Sequence, residues 1–166
     1  MNQMKKLLSL FFSILLISAI SSPAFATTET TVTQFSYTII DADGNIKTSG
    51  VTPNLAGRYS WSGITLENGD IVYFQKSDGS NFYILNNKRV TITMEKDRAG
   101  WLLFEFYNAR NSTSDGGTVL DYLELHPQSC TRTFLTPEST PSFWYTFSLM
   151  NISSDPIKLT NITLTF

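Results

Sequence analysis

The chain has 166 residues, with 12 Lys and Arg against 14 Asp and Glu and a formal net charge of −2. The basic residues are scattered, as in Lys88-Arg89 and Lys96/Arg98. They form no stripe that could track a phosphate backbone, so nucleic acid is excluded as a partner. Cys130 is the only cysteine, which excludes an intrachain disulfide and leaves stability to the packing of a core.

The chain opens with Lys5 and Lys6, followed by an apolar run from Leu7 to Ile20 and small residues around Pro23-Ala24-Phe25-Ala26. This pattern predicts a secretory signal peptide over residues 1–26, cut after Ala26. The run is interrupted by Ser9, Ser13 and Ser18 and is roughly 14 residues long, short of the ~20 that a spanning helix needs. No Cys follows the cut to take a lipid, and no later stretch is apolar enough to cross a bilayer as a helix. The expected product is a secreted or periplasmic chain without a membrane partner, its residues 27–166 forming one β-sandwich domain. At roughly 140 residues such a domain buries about two-thirds of its unfolded surface.

After residue 26, Thr, Val, Ile, Phe and Tyr are abundant and apolar residues recur with period two, which predicts strands throughout. In chain order they fall near 31–40, 46–51, 58–66, 71–76, 82–86, 90–96, 101–108, 118–125, 143–151 and 157–166. Between them lie Asp43-Gly44-Asn45, Asn68-Gly69-Asp70, Asp78-Gly79-Ser80, Asn86-Asn87-Lys88, Asp115-Gly116-Gly117 and Ser154-Asp155-Pro156, residues that tolerate or preset turn geometry. The clearest alternations are Val90/Ile92/Met94, Leu102/Phe104/Phe106 and Phe143/Tyr145/Phe147/Leu149. Val90, Ile92, Met94, Phe104, Phe106, Tyr145, Phe147 and Leu164 are the expected core. Ile157 and Leu159 are out of phase with Ile162, Leu164 and Phe166, which calls for a β-bulge near Thr160-Asn161. Gly63 marks a similar change between Tyr59/Trp61 and Ile64/Leu66. Short strands with turn signals and no βαβ spacing predict an all-β, antiparallel two-sheet sandwich of jelly-roll type, with the polar stretch 128–132 as a loop.

Catalytic chemistry finds little support. His126 is the only histidine and Cys130 lies four residues on, but a loop spacing orients neither a nucleophile nor its base, and one His with one Cys is too few for a zinc site. Asp121 and Glu124 face opposite sides of a strand. Glu95 and Asp97 share a side, but Lys96 and Arg98 beside them give the look of a solvated strand end, so no acid pair of the glycosidase kind is visible. Asp41, Asp43 and Asn45 place oxygens at alternate positions, a weak Ca²⁺ candidate. Ile46 stands where an EF-hand loop needs Gly, and a hairpin turn is the better reading. No cofactor is implied. Asn111-Ser112-Thr113, Asn151-Ile152-Ser153 and Asn161-Ile162-Thr163 match the glycosylation sequon.

The seven Tyr and three Trp are more informative. Trp144 shares phase with Thr146 and Ser148 on the polar side of its strand, and Trp101 and Tyr107 share phase with Glu105. A platform of Trp101, Tyr107 and Trp144 beside the Glu105 carboxylate and the Asn108 amide is an arrangement that stacks a sugar ring and bonds its hydroxyls. A loop laid over these rings would make them structural instead. The expectation is an exported, non-catalytic binding module whose ligand is an extracellular glycan or a partner protein. A surface-assembly subunit is the alternative, followed by a small secreted hydrolase and by an eight-stranded outer-membrane barrel, which the Ile162/Leu164/Phe166 ending would suit.

Overall fold

The computed structural model describes residues 29–53, 63–113, 118–140 and 142–166, with only the backbone described over 118–123. The signal segment, Tyr59, Trp61 and the Asp115-Gly116-Gly117 turn lie outside the described residues. The elements are β1 (Thr31–Val32), β2 (Phe35–Ile40), β3 (Ile46–Val51), β4 (Ile64–Leu66), β5 (Ile71–Lys76), β6 (Phe82–Tyr83), β7 (Arg89–Lys96), β8 (Leu102–Ala109), β9 (Thr118–Leu125), β10 (Ser129–Leu135), β11 (Trp144–Asn151) and β12 (Ile157–Thr165). There is no helix among the described residues.

The strands form two antiparallel sheets packed as a sandwich. One has five strands in the order β1-β12-β7-β10, with β4 also on β12; the other has seven in the order β3-β2-β5-β11-β8-β9, with β6 also on β11. Among the described residues each sheet has an open strand order with its own edges, the arrangement of a sandwich and not of one closed barrel. The apolar phases read from the sequence meet between the sheets: Val90, Phe104, Phe106, Tyr145 and Phe147 are 0% exposed, and Ile92, Met94 and Leu164 are equally enclosed. Phe74 stacks on Phe147 at 4.9 Å, and Phe35 meets both rings edge-on at 5.8 and 5.7 Å. Burying a Phe contributes about 1.5–3 kcal/mol by transfer alone, so this aromatic nest is a large share of what holds the sheets together.

The register of β12 against β7 slips between Leu159 and Asn161, the expected bulge. It keeps Leu159 and Ile162 on the core side although they are three residues apart. Gly63 has φ +85°, and a Cβ there would lie 2.3 Å from the Leu159 carbonyl oxygen, so only glycine permits this approach to β12.

Three expectations are corrected. Residues 31–40 are two strands in different sheets: β1 pairs with β12 and β2 with β3 and β5, the chain crossing between them at Thr33-Gln34. The stretch 128–132 is not a loop but the start of β10, which pairs along its whole length with β7. Lys96 is not at a solvated strand end; it is 1% exposed, and its Nζ donates to the carbonyls of Gly100 (2.6 Å), Leu125 (3.0 Å) and His126 (3.2 Å).

Two polar features organise the sandwich. On the outer face of the smaller sheet, Thr31, Thr165, Thr91 and Thr133 stand in one row across four strands, and Thr163, Thr93 and Thr131 in the next. Hydroxyl pairs join Thr91 to Thr133 at 2.9 Å and Thr93 to Thr131 at 3.2 Å, the cross-strand contacts that stabilise an exposed sheet face. Between the sheets, Asn151 is 0% exposed. Its Nδ2 donates to the carbonyls of Leu66 (2.8 Å) and Asp155 (2.9 Å), and its Oδ1 accepts the Ser153 N–H at 2.8 Å. The sequon at Asn151 is therefore sealed inside the fold.

Candidate functional site

The outer face of the seven-stranded sheet follows from the pairing of β8 with β11. Trp144 lies opposite Ala109, Thr146 opposite Tyr107, Ser148 opposite Glu105 and Met150 opposite Leu103, while the intervening residues point into the core. The expected phase of Trp144, Glu105 and Tyr107 is thus correct. Trp101 precedes β8 on the same phase.

These residues form three groups along one face and not a single platform. At one end Trp144 is half-buried, its ring 5.2 Å from Tyr83 and T-shaped to it, and Tyr83 lies 5.7 Å from Phe143. Tyr83 is 48% and Phe143 38% exposed. In the middle, the Tyr107 phenol donates a short hydrogen bond to the Glu105 carboxylate and sits 3.3 Å from Ser148 Oγ, with Tyr73 tilted against it at 6.5 Å. Burial and the bond to Glu105 push the Tyr107 hydroxyl well above its ordinary range, so it stays a proton donor at any physiological pH. At the far end Trp101 is 45% exposed and rests on His126, ring centres 4.6 Å apart. Eight residues of extended chain separate the Trp101 end from Ala109 beside Trp144, a span of roughly 26 Å.

Asn108 departs from its expected place. It continues the core phase of Leu102, Phe104 and Phe106, is 4% exposed, and its Nδ2 donates to the Ser142 carbonyl at 2.6 Å. Its amide braces the segment leading into β11 and does not reach the outer face. Phe143 also changes role: it precedes β11 and packs on Tyr83 outside the core. Sequence reasoning missed Tyr83, whose strand is only two residues long, and Tyr73, which the alternation along β5 places on the outer side.

Beside Tyr83 opens a groove of about 510 Å³, its rim carrying Leu85, Lys88, Arg89, Glu29 and Phe166. The loop that supplies the cations is held from beneath by Thr136, itself 1% exposed. Thr136 Oγ1 accepts the Lys88 N–H at 2.9 Å and donates to the Leu85 carbonyl at 2.7 Å, while its N–H donates to the Lys88 carbonyl at 2.9 Å. Asn87 takes the left-handed conformation, φ 55°, that such a tight turn needs. Asn86 Nδ2 donates to the Glu138 carbonyl at 2.8 Å. The groove is thus preformed.

The other candidate sites resolve into structure. Asp41 Oδ1 accepts the N–H groups of Asn45 (2.8 Å) and Asp43 (3.0 Å), the pattern of a side-chain-closed turn between β2 and β3. The Asn45 N–H is the main reason that the Asp41 carboxyl sits below its usual range. These bonds make Asp41 the closing group of the hairpin turn, and no group of three His, Cys, Asp or Glu side chains suited to a metal occurs among the described residues. Cys130 is buried with its thiol donating to the Pro127 carbonyl at 2.9 Å, and His126 lies on Trp101, so each of the two is engaged elsewhere.

No family model matches the chain, and no curated protein matches it in sequence. Among solved structures, it is similar to the CBM22-1 and GH10 modules of the endo-1,4-β-D-xylanase 10B of Clostridium thermocellum, complexed with xylohexaose, at TM-score 0.39 and 13% identity over 80% of this chain. The alignment takes in 25% of that xylanase chain, so the protein spans about a quarter of its length. A second similar structure is the apo form of BiXyn10A CBM1, at TM-score 0.37 and 8% identity, covering 77% of this chain and 96% of that one. Both similar structures contain carbohydrate-binding modules.

Proposed function

We propose that this protein is an exported, non-catalytic module that binds an extended glycan along the outer face of β8 and β11. The observation that carries the reading is the cluster on that face in which the exposed rings of Tyr83 and Phe143 flank the half-buried Trp144. Aromatic faces stack on the apolar faces of sugar rings, and rings held by one another lose little freedom when they do so. Tyr73 and the Glu105 carboxylate lie along the same track toward Trp101, where a polymer's hydroxyls would find polar partners, with the buried Ser148 hydroxyl bracing Glu105 from beneath. Nothing in this arrangement requires bond cleavage.

The test is a glycan-array screen of the processed protein, followed by affinity electrophoresis on the polysaccharides it retains. Trp144→Ala should abolish retention and Trp101→Ala should weaken it; for the 45% exposed Trp101 the melting temperature should fall by only a few degrees, and for the more buried Trp144 retention is read on protein whose circular dichroism shows it folded. Retention of no polysaccharide overturns the reading. Export with cleavage after Ala26 belongs to the same proposal, and mass spectrometry of the processed chain should place Thr27 at its N-terminus.

The assembly-subunit reading keeps one specific support. Ile46 is 69% and Val51 51% exposed on β3, the edge strand of the larger sheet, where a strand from another chain could add. Sedimentation that shows a concentration-dependent oligomer, lost in Ile46→Lys, would favour it.

A further inference from the structure

Resting on that glycan reading, we infer that the ligand is acidic, a chain bearing uronic-acid carboxylates, and that the groove beside Tyr83 takes one such sugar. The chain as a whole is acidic, at −2, yet this groove sets two cations, Lys88 and Arg89, against one carboxylate, Glu29. Neither cation makes an ion pair among the described residues, where salt bridges join Lys47 to Asp70 and Arg98 to Asp97. Lys88 and Arg89 both line this one groove, and the bonds of Thr136 to Lys88 and Leu85 hold the turn that leads into Arg89 at the start of β7, so the two like charges are confined to the same opening. A carboxylate placed between the two would relieve their repulsion, and a guanidinium fork bonds a carboxylate through two parallel N–H groups.

The rest of the groove suits a ring. Tyr83 offers a half-exposed aromatic face and Leu85, 49% exposed, an aliphatic one. Glu29, also on the lining, can accept from sugar hydroxyls. Tyr83 also belongs to the cluster with Trp144, so a sugar in the groove continues a chain stacked on the outer face.

The experiment compares oligouronates with their carboxyl-reduced, neutral counterparts of the same linkage, by titration calorimetry at low and at high salt. The acidic member of a pair should bind about tenfold more tightly or better, and the preference should shrink as salt rises. Lys88→Gln combined with Arg89→Gln should erase the preference, the acidic member losing at least the tenfold advantage, while the melting temperature stays as in the parent. Equal affinity for both members overturns the charge inference and leaves the glycan reading standing. Binding to neither member, with an empty glycan array, overturns both. A preference that survives the double substitution, or one that ignores salt, also overturns the assignment to this groove.

Discussion

Replacing Lys96 with Met should be among the most damaging single changes in the core, although the two side chains are similar in size. The ammonium makes three charge-assisted bonds to carbonyls, at 2.6, 3.0 and 3.2 Å, in a site that is 1% exposed. Hydrogen bonds to charged groups contribute about 1.5–3 kcal/mol each, but burying the charge costs several kcal/mol in return. What decides the outcome is what the substitution leaves behind. The His126 carbonyl keeps the Gly100 N–H at 3.0 Å, whereas the Gly100 and Leu125 carbonyls lose the Lys96 donor. Two buried carbonyls deprived of this donor, at about 1–3 kcal/mol each, give an expected loss of ~2–6 kcal/mol. Urea unfolding followed by circular dichroism reads this directly, as an earlier midpoint at unchanged slope. A loss below about 1 kcal/mol would refute the reasoning, because it would mean that burial of the charge already cancels the three bonds. The pH dependence has a definite sign. Burial holds the Lys96 amine below its ordinary range, so the unfolded chain binds more protons than the folded one as pH rises from the folded value toward about 10.4. Stability from this group therefore increases on that interval, and the gap between parent and Lys96→Met should widen there; a gap that narrows contradicts the assignment.

Further outcomes follow from the same structure. Phe147→Ala should cost ~3–5 kcal/mol, since the ring is stacked on Phe74 and fully enclosed, whereas Thr91→Ala, which loses one exposed hydroxyl pair with Thr133, should cost under about 1 kcal/mol in the same urea assay. The Tyr145 hydroxyl is buried beside Thr140 and Asn108 but meets neither in good hydrogen-bond geometry, so Tyr145→Phe should leave the unfolding free energy unchanged or raise it by up to ~1–3 kcal/mol; a clear loss would show that one of the two holds the hydroxyl. The Cys130 thiol, raised by burial and donating to Pro127, should resist thiol reagents in the native protein and react on unfolding. Stoichiometric labelling of the folded chain would show that β10 opens at its start.

The sandwich was legible because most strands bury one face, and the period-two signal of Val90/Ile92/Met94 or Phe104/Phe106 is the direct imprint of that burial. Where the signal failed, polar atoms were satisfied inside or apolar ones were left outside. β10 alternates Cys130, Arg132 and Phe134 with Thr131, Thr133 and Leu135, so neither side looks consistently apolar; the Thr hydroxyls in fact face Thr91 and Thr93 across the sheet. Lys96 read as solvent-facing because its charge is conspicuous and its acceptors are backbone carbonyls, which no side-chain pattern announces. Asn108 sat on the core phase in plain view, but an amide at the end of such a run can serve the interior or the rim, and the Ser142 carbonyl that decides the matter lies 34 residues away. The site was half visible for the same reason. Phase placed Trp144, Glu105 and Tyr107 on one face, while the meeting of Tyr83 with Trp144 depends on β6 and β11 lying side by side, a long-range pairing that local alternation does not encode.

Asn151 carries a chemical clock. Side-chain amides age in water when the next residue's backbone nitrogen attacks the amide carbon, ammonia leaves, and water then opens the cyclic imide to leave a carboxylate. Here that nitrogen, from Ile152, is tied to the Trp101 carbonyl at 3.1 Å, and the amide itself is held by Leu66 and Asp155. The folded molecule thus stalls the reaction, and damage accrues in molecules that have opened. A carboxylate formed there would face two carbonyl oxygens with nothing to donate, so a damaged chain that tries to refold meets repulsion where its two sheets were joined. Ageing at this position should therefore be all-or-none, each amide lost from Asn151 removing one molecule from the folded pool.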